Sequence, residues 1–376
     1  MKNYYDFETD TVHYKGKQLR LLSEFTQQRW MKDYVKNNLI VLYVGGSQAY
    51  GIATENSDVD IRGMFKDSIE MILGYEKIEQ LENTTKDMTI YAVSKALKLI
   101  IDQNPNMQEC LWVDESDILF ATDTYWQIRG MRDQLLSKQS KFKYAGYAIS
   151  QLNRIKGHDK WLVKEREGRF NSKPNIKDYI TLITKGRGII TKFSDEKLSN
   201  NFYYYTKIKD ELYNVYYNNI STNTYPLIEE GNSFIPIQEE HKDGHDYIGV
   251  IWFNKSQFQT DLDEYNNWKK WKENRNETRH SLEEKHGFDT KHASHTFRLL
   301  KTGCEILEGK GVLVHRPDKE FLLDIRNGKY NYEWVVAEAE RYDKEILPKL
   351  YEESKLQHSV HPKVYVTIMK EILGVM

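Results

Sequence analysis

A chain of 376 residues is long enough to bury a full core, and the usual domain size of roughly 100–200 residues predicts two. Its 54 basic and 56 acidic side chains nearly cancel, so no global field draws it to nucleic acid or to a membrane, and any polyanion site has to be local. Cys110 and Cys304 lie far apart without Cys-x-x-Cys spacing, there is no apolar leader, and no long apolar run occurs, which excludes a disulfide framework, a cysteine zinc site and a membrane span and predicts a cytoplasmic protein.

The first predicted element is a helix in "LLSEFTQQRWMKDYVKNN", with Ser23 as its cap, Phe25, Trp30 and Tyr34 as its apolar row, and Asn37–Asn38 as its stop. "LIVLYV", Leu39 to Val44, is a continuous apolar run rich in β-branched residues, which marks a central strand covered on both faces. "DVDIRGMF" sets Asp58, Asp60 and Arg62 against Val59, Ile61 and Gly63, a period-two strand with a polar face that carries both aspartates. A further strand is expected over Lys86–Val93, followed by a helix in "SKALKLIIDQ" and another capped by Asn104 with Pro105 at its first position. These elements predict an α/β domain over residues 1–120.

Beyond Thr122 the helical period dominates, so residues 121–376 are expected to form a mainly helical half. Inside it, about 200–262, the tyrosine-dense "NNFYYYTKIKDELYNVYYNN" and the short strand-like "YPLIEEGNSFIPIQEE" and "DYIGVIWFN" are read as an insertion. Its tyrosines, with Trp268 and Trp271, either stack bases of a single-stranded nucleic acid or fill a core. Helices resume in "TDLDEYNNWKKWKENRNETRHSLEEKHG", "TKHASHTFRLLKTGCEILEGKG" and "NYEWVVAEAERYDKEIL".

The chemistry concentrates in "YVGGSQAYGIATENSDVDIRGMF". A strand that ends in Gly45-Gly46-Ser47 offers bare backbone N–H groups and a hydroxyl to an anion, a seat for phosphate. Asp58 and Asp60, eleven and thirteen residues beyond Ser47, are hard oxygen donors of the kind Mg²⁺ at a triphosphate requires. A third carboxylate on the next strand would complete a two-metal site and take the proton of an attacking hydroxyl. Asp87 is placed for that, with Glu79 and Glu82 close enough to compete. Ser57 and Arg62 flank the pair, and Tyr50 with Gly51 either lines the nucleotide pocket or shapes the turn. Together these residues point to in-line attack on the α-phosphate of a nucleoside triphosphate.

"GGS" followed after ten residues by "DVD" resembles the signature of the DNA polymerase β-type nucleotidyltransferase superfamily. The fuller "GSQAYGIATENSDVDIRGMF" is similar to its RNA-repair-associated subfamily of bacteria and phages, as are "NPNMQECLW", "KHASHTFRLLKTGCEIL" and "IRNGKYNYE". The resemblance implies phosphate contacts from Gly46 and Ser47, metal ligation by Asp58, Asp60 and Asp87, two Mg²⁺ ions or Mn²⁺ in their place, and an RNA or tRNA end as acceptor. A protein modifier that puts AMP or UMP on a side chain, and a silent nucleotide- or RNA-binding protein, are the rival readings.

In "KHASHTFRLLK", Lys291, His295 and Arg298 follow i, i+4, i+7 and share a helix face, with His292 beside them and Ala293, Phe297 and Leu300 turned away. That face is expected to hold phosphate of the triphosphate or of the acceptor. Zinc at His292 and His295 lacks an evident third ligand. Glu109 is expected either to anchor a basic residue of the site or to cap a buried contact.

Overall fold

Three strands, Tyr4–Asp6 (β1), Thr11–Tyr14 (β2) and Lys17–Arg20 (β3), open the chain as an antiparallel meander whose Val12 and Tyr14 point inward. The computed structural model describes residues 3–55, 57–74, 77–184, 190–192, 203–217, 228–229, 233–234, 246–274, 282–283 and 285–374. After the meander the expected long first helix is replaced by a short turn at Leu22–Glu24 and a helix at Arg29–Asn37. Ser23 caps nothing, because Leu22 and Phe25 are drawn into the core and Phe25 bridges to Asn83, which holds the chain extended there.

Leu39–Gly45 (β4), Asp60–Phe65 (β5), Gln80–Glu82 (β6), Met88–Ala92 (β7) and Ile118–Ala121 (β8) form a five-stranded mixed sheet in the order β6-β7-β5-β4-β8. β5 and β7 are parallel, and the other pairs are antiparallel. Every residue of β4 is buried. Val41 and Tyr43 pack into one core with Leu97, Phe297 and Leu300, while Leu42 and Val44 pack into another with Val12, Tyr14 and Phe25. A strand sandwiched this way has no polar face, hence its unbroken apolar run.

The compact units do not follow the expected boundary at residue 120. Residues 1–158 and 278–376 make one unit, and residues 159–277 make the other. The reason is burial. Thr290–Leu307, Lys319–Arg326, Tyr332–Arg341, Leu347–Glu353 and Pro362–Leu373 are helices that share a single core with the Val93–Ile101 helix and one face of the sheet. The expected helical half therefore completes the α/β layer.

In the other unit, Ile180–Thr184 (β9), Ile190–Lys192 (β10), Tyr203–Lys209 (β11), Leu212–Tyr217 (β12) and Asp246–Phe253 (β15) form an antiparallel sheet in the order β10-β9-β15-β12-β11; Ile228–Glu229 (β13) pairs with Ser233–Phe234 (β14). The tyrosine-dense stretch is the β11–β12 hairpin. Most of "YPLIEEGNSFIPIQEE" lies outside the described residues. Ile180, Leu182, Val215, Ile251 and Phe253 meet Phe258 of the Lys255–Glu273 helix, and Trp268 is buried with its ring stacked on Phe170 at 4.8 Å. Trp268 is thus a core residue and is not free to stack a base. Among the described residues no helix is long and apolar enough to cross a membrane.

Candidate active site

Strand pairing brings the opening motif together at one end of the sheet. β4 ends at Gly45, whose antiparallel partner is Asp60, the first residue of β5. The Ile61 N–H donates to the Asp87 carbonyl at 2.8 Å, which sets Asp87 beside that same strand end, just ahead of β7. Gly46 has φ +61°, and a Cβ built there would lie 1.9 Å from Asp60 Oδ2. With the Asp60 carboxylate in this position only glycine fits, and the carboxylate sits directly against the turn backbone. At Gly45 the nearest atoms to such a Cβ are those of Arg62 at 3.8 Å, an ordinary contact.

Asp60 is half-buried, and its neighbours act on it unequally. Burial pushes its carboxyl above the usual range, Arg62 at 3.8 Å pulls it back, Asp87 and Asp58 push it up again, and Lys291 opposes them. Three carboxylates and one lysine therefore share one field. Asp58 is exposed and lies before the strand rather than in it. Glu79 is tied to Lys77 at 3.0 Å and Lys95 at 3.4 Å, and Glu82 stands 3.9 Å from Lys86. Of the competing acids, Asp87 is the one that acts on Asp60.

The groups do not close into a cage. Asp87 Oδ1 accepts hydrogen bonds from Asn83 Nδ2 and Thr85 Oγ1, each at 2.6 Å. Among the described residues no cluster of three or more His, Cys, Asp or Glu side chains is gathered at metal-holding separation. The donor set nevertheless fits a hard divalent cation. All three are carboxylates, and a cation beside Asp60 would relieve the burial and like charge that work against its ionised form.

Three expected nucleotide contacts have other occupations. Ser57 Oγ accepts from the Thr54 N–H at 2.9 Å and closes the loop between β4 and β5. Tyr50 is buried, and its hydroxyl donates to Glu109 Oε2 at 2.8 Å. Arg298 is 2% exposed, donates from its guanidinium to Glu109 Oε1 at 2.5 Å, and lies 4.0 Å above the centre of the Tyr50 ring. Glu109 thus anchors a basic residue beneath the site. The expected cationic face is graded by depth, because the Thr290–Leu307 helix is packed on most sides: Lys291 is exposed, His295 half-buried, Arg298 enclosed. His292 is buried against its own helix cap, with its N–H on Asp289 Oδ1 at 2.9 Å and Nε2 3.6 Å from Asp289 Oδ2.

Sequence reasoning missed the segment that braces the turn from outside. Gly51, φ +73°, leaves a Cβ position 2.8 Å from His315 Cε1. The Arg316 N–H donates to the Tyr50 carbonyl at 3.1 Å, and the Arg316 side chain, 1% exposed, is held by Glu305 at 2.7 Å and Asp318 at 2.8 Å. Neither residue stands in a period or spacing that marks it. Cys110 and Cys304 are free and buried, and burial pushes both thiols up to about 12, so neither is a thiolate nucleophile.

A glycine turn pressed against a carboxylate, with two further carboxylates and a lysine in the same field, can hold a metal–phosphate complex and accept a proton. Residues 17–179, which contain all of this except Lys291, match the RNA repair pathway DNA polymerase beta family, RlaP. No curated protein and no solved structure matches the chain. Over residues 17–179 the chain is thus similar to a polymerase β-type nucleotidyltransferase family associated with RNA repair.

Proposed function

We propose that the protein transfers a nucleoside monophosphate from a nucleoside triphosphate to a hydroxyl at an RNA end, with tRNA among the candidate acceptors, and releases pyrophosphate. The observation that carries this reading is the seating of Gly46 on Asp60 with Asp58 and Asp87 in the same field. Asp58, Asp60 and Asp87 would hold Mg²⁺ or Mn²⁺, which when bound neutralises the triphosphate and lowers the pKa of the acceptor hydroxyl. Gly45, Gly46 and Ser47 receive phosphate, and Arg62, 3.8 Å from Asp60, balances the carboxylates when the site is empty of cation. The acceptor oxygen forms a bond to the α-phosphorus as the bond to the bridging oxygen breaks. The hydroxyl proton passes to Asp87, and pyrophosphate carries off the charge of the leaving group. Two free, buried cysteines fit a reducing cytoplasmic setting.

Incubation with each α-³²P-labelled nucleoside triphosphate and Mg²⁺ against total RNA and total protein tests the reading. Label in RNA that disappears with Asp60→Ala, while circular dichroism of the variant is unchanged, is the expected result. Label confined to the protein fraction would assign the enzyme to side-chain nucleotidylation instead, and no label in either would leave a binding protein.

A further inference from the structure

The Ser140–Arg166 helix runs beside the Thr290–Leu307 helix, with Tyr144 3.2 Å from the Cβ position of Gly303 at one end and His158 Nδ1 3.0 Å from Glu283 Oε1 at the other, and between these contacts Arg154 comes beside Lys291 and His295 as a basic cluster within one compact unit. The charges that act on His295 are Arg298, His292, Lys291 and Arg154, and all of them are cationic. Arg154, Lys291 and His295 have no hydrogen bond or ion pair among the described residues. Nearby cations are paired: Lys156 with Glu340 at 2.7 Å, Lys301 with Asp318 at 3.1 Å, Arg316 with Glu305 at 2.7 Å. Arg298 adds a second, independent sign. Although it is 2% exposed, its Nε and one terminal nitrogen have no acceptor. A half-buried histidine among like charges, beside an enclosed guanidinium with donors left over, is unfavourable unless something anionic completes it.

We propose that Arg154, Lys291 and His295 form the seat of the terminal phosphates of the nucleoside triphosphate. The proposal rests on the nucleotidyl-transfer reading and adds to it which ligand the C-terminal basic residues take. Lys291 lies within the field of Asp60, so the cluster begins where the carboxylates end. His295 is one helical turn further along and deeper. Cations gathered round one half-buried histidine next to the carboxylates suit the multiply charged end of a triphosphate, whereas an RNA backbone calls for a strip of separate contacts. Burial, then the surrounding cations, hold the His295 imidazole neutral. A bound phosphate counters the cations and so raises the His295 pKa, and a proton taken up on binding enters there.

Calorimetric titration with inorganic tripolyphosphate and Mg²⁺ tests this independently of base and acceptor. Arg154→Ala and Lys291→Ala are each expected to weaken tripolyphosphate binding by about 10- to 150-fold, the range of one charged hydrogen bond. Affinity for a nucleoside monophosphate and for a single-stranded RNA oligonucleotide should stay unchanged. Both residues are exposed, and unchanged circular dichroism will show that the variants fold. Proton uptake, read from the dependence of the binding enthalpy on buffer, should vanish in His295→Gln. Unchanged tripolyphosphate affinity in both alanine variants overturns the proposal, as does an equal or larger loss for the RNA oligonucleotide. A protein that binds tripolyphosphate as expected but labels no acceptor would instead refute the transfer reading and leave this seat standing.

Discussion

Gly45 and Gly46 are adjacent and chemically identical, yet alanine should have very unequal effects at the two positions. At Gly45 the backbone is extended, φ −111°, and the added methyl meets Arg62 at 3.8 Å, so Gly45→Ala should leave stability unchanged and, because the backbone N–H offered to phosphate is kept, cost turnover far less than Gly46→Ala. At Gly46, φ is +61° and the methyl would fall 1.9 Å from Asp60 Oδ2. The left-handed backbone costs roughly 1–2 kcal/mol, which at roughly 2–4 °C per kcal/mol lowers the melting temperature by about 2–8 °C. The clash itself is with the end of a side chain, so it is relieved by swinging the carboxylate away rather than by unfolding. That swing moves an oxygen by about an ångström, and misplacement of that size is worth about 100-fold in rate. Thermal melts in parallel with transfer of labelled nucleotide to RNA separate the two effects. Gly46→Ala activity within tenfold of the unsubstituted chain, or equal impairment of Gly45→Ala, would refute the claim that the turn is built around the Asp60 carboxylate.

Three further outcomes are expected. Arg298→Met should destabilise by roughly 3–5 kcal/mol in urea titration because it strands Glu109, whereas Arg298→Met with Glu109→Leu should recover most of that; a single-variant loss below about 1 kcal/mol would show that the pair is not desolvated. Asp60→Asn should raise the melting temperature of the metal-free protein at neutral pH. The Asp60 pKa is raised in the fold, so its contribution to stability is present below the unfolded-state pKa and is lost as pH rises through the folded one; the gain from Asn should shrink towards pH 4, and a gain independent of pH would refute the assignment. Asp87→Asn should abolish transfer while nucleotide still binds, and Glu82→Gln should be silent; the reverse pattern would move the proton acceptor to β6.

What the sequence made legible was what a single strand or turn determines by itself. The run Leu39–Val44 announced a strand covered on both faces, and it is buried throughout because successive side chains enter two different cores. Asn104 and Pro105 announced a helix start, and Asn104 Oδ1 does accept from the Asn106 and Met107 N–H groups. The acidic pair and the glycine turn were legible because strand order needs only pairing to bring them together. The C-terminal cations were not, since a helix period tells which residues share a row but not how deep the row runs. In "KHASHTFR" one row passes from solvent at Lys291, through a half-buried histidine, to a guanidinium closed over Tyr50 and Glu109. Depth, set by neighbours that lie more than a hundred residues away in the chain, divides the work. On the proposed reading the exposed end meets a ligand, while the enclosed end packs on Tyr50, which follows the glycine turn where that ligand's other end would rest.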